Sequence, residues 1–203
     1  MDQPSDHFLG SRHLILEGIV TTLNADQGVN ISPMGPIVDR QMQELELRPY
    51  QTSTTYQNLK RHGEGVFHVT DNVDMLARCA VGSISPPPTV SEAPHVSGRI
   101  LTDACRWYEF RVLQLDDSQP RTRIRCEIVG QGRQRDFFGF NRAKHAVLEA
   151  AILATRIGLI PREQIELELE RLQVLIEKTA GDQERSAFEF LRDYVHNKSK
   201  RQP

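Results

Sequence analysis

The sequence predicts an α+β fold, a β core followed by helices. Alternating apolar residues mark strands through the first two thirds of the chain. After Gly139 the spacing changes to the 4-3-4-3 rhythm of helices. Strands gathered first and helices gathered last are the order of an α+β protein rather than of repeated βαβ units. The 203 residues favour one large domain, or one domain with an appendage, and show no internal repeat.

Residues 1–11 are polar and read as a loose terminus. Arg12 to Leu23 is rich in Leu, Ile, Val and Thr and reads as a strand, Asn24 to Gly28 as a turn, and Val29 to Met34 as the returning strand of a hairpin. Pro33 places that second strand at a sheet edge. Val38 to Leu47 fits a strand or a short helix. Gly65 to Thr70 is a short apolar strand, after which Asp71 or Asn72 caps a helix through Met75, Leu76 and Ala80.

Ser85 to Gly98 carries Pro86, Pro87, Pro88 and Pro94, and reads as a loop. Cys105 to Leu115 alternates, with Trp107, Glu109, Arg111 and Leu113 on one face and Tyr108, Phe110 and Val112 on the other. Thr122 to Val129 alternates again beyond a turn at Asp116 to Pro120, and the pair suggests the back of a barrel or sheet. Ala143, Val147, Ala150, Ala154 and Ile157 form one helix face, with Gly158 as its expected C-cap. Pro161 starts the next element, whose face is Ile165, Leu169, Leu172 and Ile176. Ala187, Phe190, Leu191 and Tyr194 suggest a third helix, and Lys198 to Arg201 is a basic tail.

The bulk numbers exclude several classes. A formal charge of −2 gives no reason to expect nucleic acid or an anionic membrane surface. Mean hydropathy is −0.46 and no apolar run approaches a membrane span. The start of the chain does not read as a signal peptide. Cys79, Cys105 and Cys126 are widely spaced, without a CxxC pair, and read as reduced and structural in a cytoplasm. No HxH or HExxH spacing is present, so no metal is expected.

Two segments carry chemistry. Residues 48–58 hold Arg48, the hydroxyls of Tyr50, Thr52, Ser53, Thr54 and Thr55, and the amide of Asn58. Many donors beside one fixed positive charge suit a phosphate group. An ordinary Thr-rich strand or edge turn is the plainer reading. GxxxxGK[ST] and GxGxxG are both absent, so such a site would be built from side chains rather than a glycine cradle. The second segment is Asn30 to Pro36, where Asn30, Ser32 and Met34 share a strand face. It reads either as a polar strand edge or as backbone passing close to something flat. Together the two segments point to a phosphorylated planar cofactor, flavin mononucleotide (FMN) first. On the first C-terminal helix, Asn141, Arg142 and Lys144 make a polar start that can meet an anion. His145 and Glu149 read as a surface pair.

The order Asn30…Pro33-Met34-Gly35, then Thr55-x-x-Asn58-Leu59, then Gly65-Val66-Phe67-His68-Val69-Thr70-Asp71-Asn72-Val73 resembles the FMN-binding split β-barrel superfamily of flavin reductases and flavoredoxins. Arg48-Pro49-Tyr50-x-Thr52-x-Thr54 and Phe140 to Val147 resemble a smaller group within it, a domain of unknown function found in methanopterin-using archaea and bacteria. The resemblance covers roughly residues 12–178. It implies a split barrel over 12–139, a C-terminal helical extension over 140–197, and a homodimer with FMN at its interface. It implies Thr55 and Asn58 as phosphate-side ligands with Arg48, Ser53 and Thr54 as neighbours. Asn30, Ser32, Met34 and Gly35 would face the flavin ring, and Asn72 would close the site. Thr70-Asp71 departs from the more apolar residues of reductase relatives.

The resulting expectation is a cytoplasmic FMN-dependent oxidoreductase. It would take electrons from NAD(P)H and reduce a small, pterin-like substrate of one-carbon metabolism. No acid or base stands out; Tyr50, Tyr56 and His145 are the candidates. The alternatives are a non-catalytic flavin carrier, an oxidase of the pyridoxamine-phosphate type, and an interaction module that uses the C-terminal helices.

Overall fold

The computed structural model describes residues 14–199. The expected loose terminus and Arg12 lie outside these residues, as do Lys200 and Arg201 of the basic tail. The chain divides into two compact units. Of the described residues, the first comprises those up to Val69 together with Thr89–Asp136, and the second Thr70–Pro88 together with those from Phe137 onward.

The first unit is built on a curled, antiparallel, eight-stranded sheet. Its strands are β1 (Leu14–Ile15), β2 (Gly18–Leu23), β3 (Val29–Met34), β4 (Ile37–Val38), β5 (Glu44–Leu47), β6 (Glu64–Val69), β9 (Arg106–Asp116) and β10 (Arg123–Arg133). They run in the order β1-β4-β5-β10-β9-β6-β2-β3. β3 is therefore an edge strand, as Pro33 requires. The strand expected from Arg12 is broken at Leu16–Glu17 into β1 and β2, and Val38 to Leu47 resolves into β4, a turn and β5.

The long β9–β10 ladder shifts register twice, leaving Leu113 unpaired on β9 and Val129 unpaired on β10. Such bulges bend and twist a strand pair, and they interrupt the alternation that the sequence suggests. Tyr108 and Phe110 point into the main core with Val20, Leu45, Leu47, Tyr56, Leu59, Phe67, Ile124 and Cys126. The opposite face packs Val66, Val96 and Ile100 against Trp107. There the proline-rich segment is not all loop, because β7 (Val90–Glu92) and β8 (Arg99–Leu101) form a hairpin within it and just beyond it.

One helix, α1 (Thr54–His62), sits in this unit where the hydroxyl cluster suggested a strand or turn. Ser53 caps it, and Gly63 ends it at φ 69°, a left-handed position where glycine carries no Cβ penalty. Lys60, Arg61 and His62 in its last turn complement the helix dipole.

The second unit is helical: α2 (Val73–Ala80), α3 (Arg142–Thr155), α4 (Arg162–Thr179) and α5 (Asp182–Ser199). α3 packs against the other three. Its buried face is Ala143, Ala146, Val147, Ala150, Ala151 and Ala154, and these small side chains let neighbouring helices approach closely. Asn141 caps α3, its Oδ1 accepting from the N–H groups of Ala143 and Lys144, while its Nδ2 donates to the Thr179 carbonyl. α3 ends at Thr155 with Arg156 as C-cap, two residues before the expected Gly158.

Candidate functional site

The hydroxyl cluster forms the start of α1. The Tyr50 carbonyl accepts from the Ser53 N–H at 2.9 Å, which makes the turn into the helix. The Ser53 hydroxyl then accepts from the Tyr56 N–H at 3.2 Å. The first turn holds no acidic residue. Thr54 is exposed there and Ser53 half-buried. First-turn N–H groups have no partner within their helix and favour negative charge. Arg48 lies five residues before Ser53, and its buried Nε has no hydrogen-bond partner among the described residues. An orphaned guanidinium N–H is costly unless something accepts from it.

Behind this helix end lies a network built on the β2–β3 hairpin. Thr22 stands opposite Asn30 in the strand register. The Thr22 hydroxyl accepts from Asn30 Nδ2 at 3.1 Å and from Asn58 Nδ2 at 2.9 Å. Asn30 Nδ2 also donates to Thr55 Oγ1 at 3.1 Å. Asn58 gives its other N–H to Asn24 Oδ1 at 2.9 Å and accepts from Arg61 at 2.9 Å. Arg61 and His62 both reach the Leu23 carbonyl. Thr22, Thr55 and Asn58 are 0%, 1% and 2% exposed. The structure thus brings Asn30, Thr55 and Asn58 together, with the side chains of Thr55 and Asn58 turned into the protein. Thr22, Asn24 and Arg61 join them unannounced by any motif. A signal for Thr22 was present, because the turn at 24–28 fixes which residue faces Asn30 across the hairpin.

The remaining expected residues lie outside this hydrogen-bond network. Met34 packs against the main core. Ser32 Oγ lies 3.5 Å from the Pro33 carbonyl. A Cβ at Gly35 would lie 2.8 Å from Ile15 Cγ2 and 2.9 Å from Glu17 Oε1, so the close approach there is to the chain itself. Asn72 belongs to the second unit, where its Oδ1 caps α2 by accepting from the Met75 N–H.

The candidate acids and bases differ in how far they are committed. Tyr56 is buried, donating to Asp117 Oδ2 at 2.6 Å and accepting from Lys60 Nζ at 3.0 Å. Asp117 and Tyr56 together hold the Lys60 ammonium well above its ordinary pKa. Tyr50 is exposed beside Arg121. His145 is an exposed residue 3.9 Å from Glu149. Lys144, expected to greet an anion, instead meets Glu184 at 2.9 Å and the Asp71 carbonyl at 2.7 Å.

The described histidines His62, His68 and His95 of the first unit are held by backbone and by one carboxylate. His68 is fully buried, and Nε2 accepts from the Leu101 N–H, so Nδ1 carries the proton and donates to the Ile19 carbonyl. Burial pushes its pKa down to about 4. His95 Nδ1 lies 2.6 Å from Oε2 of the fully buried Glu109. Among the described residues, no group of three or more His, Cys, Asp or Glu is placed to hold a metal ion. Among the same residues, no helix is long and apolar enough to cross a membrane.

A family model described as the N-terminal domain of a protein of unknown function, DUF447, matches residues 16–135. The chain belongs to the DUF447 family. A second DUF447 model matches residues 141–193. An FMN-bound DUF447 protein from Methanosarcina mazei has a similar structure, with a TM-score of 0.77 and 21% identity over 91% of this chain and 97% of that one. The flavin reductase of styrene monooxygenase from Pseudomonas putida S12 gives a TM-score of 0.51 and 12% identity over 60% of this chain and 82% of its own. Flavoredoxin from Methanosarcina acetivorans gives 0.51 and 10%, over 68% and 81%. The DUF447 chain therefore has the flavin-reductase-like split-barrel fold in an α+β protein. No curated protein matches it.

Proposed function

We propose that this DUF447 protein is a cytoplasmic, homodimeric FMN-binding flavoprotein that reduces a small substrate with electrons from NAD(P)H. The observation that carries the reading is the donor set at the start of α1. It comprises the N–H groups of Thr54 and Thr55, the Thr54 hydroxyl and an absence of acid in that turn, with the orphaned Nε of Arg48 five residues before the Ser53 cap. That set fits a phosphate monoester, which accepts many hydrogen bonds and carries negative charge. The fold likeness to a DUF447 protein that is FMN-bound supports FMN as the ester.

In this reading Arg48, Ser53, Thr54 and the first turn of α1 hold the phosphate. Thr55 and Asn58 back that turn from behind. Asn30, Ser32, Met34 and Gly35 line the ring side. Bound FMN supplies two-electron transfer, while the chain binds and orients. Purified protein loaded with FMN and freed of excess should keep a yellow flavin spectrum and oxidise NAD(P)H. Loss of all flavin on gel filtration would remove the reading.

The family resemblance supports a pterin-like substrate and a link to methanopterin-dependent one-carbon metabolism. Turnover of a reduced-nicotinamide and pterin mixture tests that link. A non-catalytic flavin carrier is the second reading, favoured by the full engagement of the Tyr56 hydroxyl by Asp117 and Lys60. Retained FMN without NAD(P)H oxidation would select it.

A further inference from the structure

We infer that Thr22 is a positioning residue that sets this protein's preference for a phosphorylated over an unphosphorylated flavin, an inference that rests on the FMN reading above. Thr22 is fully buried, so it touches no ligand. Its single hydroxyl is the acceptor shared by Asn30 and Asn58. Asn58 sits on α1, and Asn30 in turn donates to Thr55 in the first turn of that helix. One oxygen on β2 therefore joins the edge strand and the helix through two amides.

Hydrogen-bond accounting supports this role. Both N–H groups of Asn58 are used within the network, leaving it no donor to offer a phosphate. The Thr55 hydroxyl is an acceptor from Asn30 and is almost fully buried. The residues presented at the helix end are then Ser53 and Thr54, with Arg48 ahead of them in the chain. What Thr22 fixes is the seat of α1 on the hairpin, and with it the direction of the first-turn N–H groups. Those groups meet a phosphate and have no role toward a flavin that lacks one.

The test measures dissociation constants for FMN and for riboflavin by flavin fluorescence, on the full-length protein and its Thr22→Val and Thr22→Ser variants. Val keeps the shape and removes the acceptor; Ser restores it. The expected result is a loss of about tenfold or more in FMN affinity for Thr22→Val, little change for riboflavin, and recovery in Thr22→Ser. Equal weakening of both flavins would reduce Thr22 to a structural residue and overturn the inference, as would unchanged FMN affinity. If Thr22→Val does not fold, Thr22→Ala removes the same acceptor with a smaller side chain, and the same ratio decides. Wild-type protein that binds neither flavin would sink the FMN reading itself, a failure distinct from a variant that leaves the FMN-to-riboflavin ratio unchanged.

Discussion

Asn30 Nδ2 and Thr55 Oγ1 lie 3.1 Å apart, which ties the edge strand β3 to the first turn of α1. Asn30 and Thr55 are 25 residues apart in sequence. The contact brings both chemistry-bearing segments of the chain into one polar network, with Arg48 and Ser53 in the connection that leads into α1.

Arg48 is expected to dominate the charge of that site. Arg48→Met should weaken FMN binding by about tenfold to a hundredfold, in line with a lost charge-assisted hydrogen bond, and leave riboflavin binding nearly unchanged. Fluorescence titration of both flavins reads this directly. Equal affinity of the variant and wild type for FMN would remove Arg48 from the site.

Asn58 should behave as a buried hub. Asn58→Ala strands Asn24 Oδ1 and an Arg61 donor without their partner. A loss of about 2 kcal/mol in urea unfolding is expected, because buried polar groups left unpaired cost that much. A variant as stable as wild type would contradict the accounting.

His68 gives the fold a pH dependence with a definite sign. Its folded pKa is pushed down to about 4, while the unfolded chain titrates at the ordinary 6.5. Between these values the unfolded state binds more protons, so stability is full above pH 6.5 and falls as pH drops toward 4. The amount is about 3 kcal/mol. Urea midpoints measured from pH 7 to 4.5 should fall in wild type and flatten over this window in His68→Gln.

Lys144 should matter for stability and not for ligand. Its side chain is 16% exposed and that of its partner Glu184 9%. Burial alone would raise the Glu184 carboxyl, and Lys144 together with the backbone N–H groups of Glu184 and Gly181 more than offsets this to leave the pKa lowered. Lys144→Met leaves that carboxylate without its cation, held only by backbone N–H groups, that of Gly181 among them, and should cost about 2 kcal/mol, less than a fully buried pair. FMN affinity should not change. A selective loss of FMN binding would instead make the start of α3 part of the site.

Much of this was legible in the sequence where one period dominates. The β2–β3 hairpin, Pro33 at an edge, the Asn72 cap and the alanine face of α3 all follow from spacing and capping chemistry. The hydroxyl cluster was misleading because Thr favours strands, while Ser53 as an N-cap and the buried pair Tyr56 and Leu59 make it a helix. The bulges at Leu113 and Val129 are set by curling of the sheet, a tertiary effect that no local window carries. The role of Thr22 was hidden because its importance lies in two partners contributed by β3 and α1.

The most direct test of the account is the visible absorption spectrum of the protein after FMN loading and removal of excess, compared with the same protocol for riboflavin. The account predicts flavin bands near roughly 370 and 450 nm that stay with the protein after FMN and largely wash away after riboflavin. A colourless protein after FMN, or equal retention of both flavins, would contradict a site built around a phosphate.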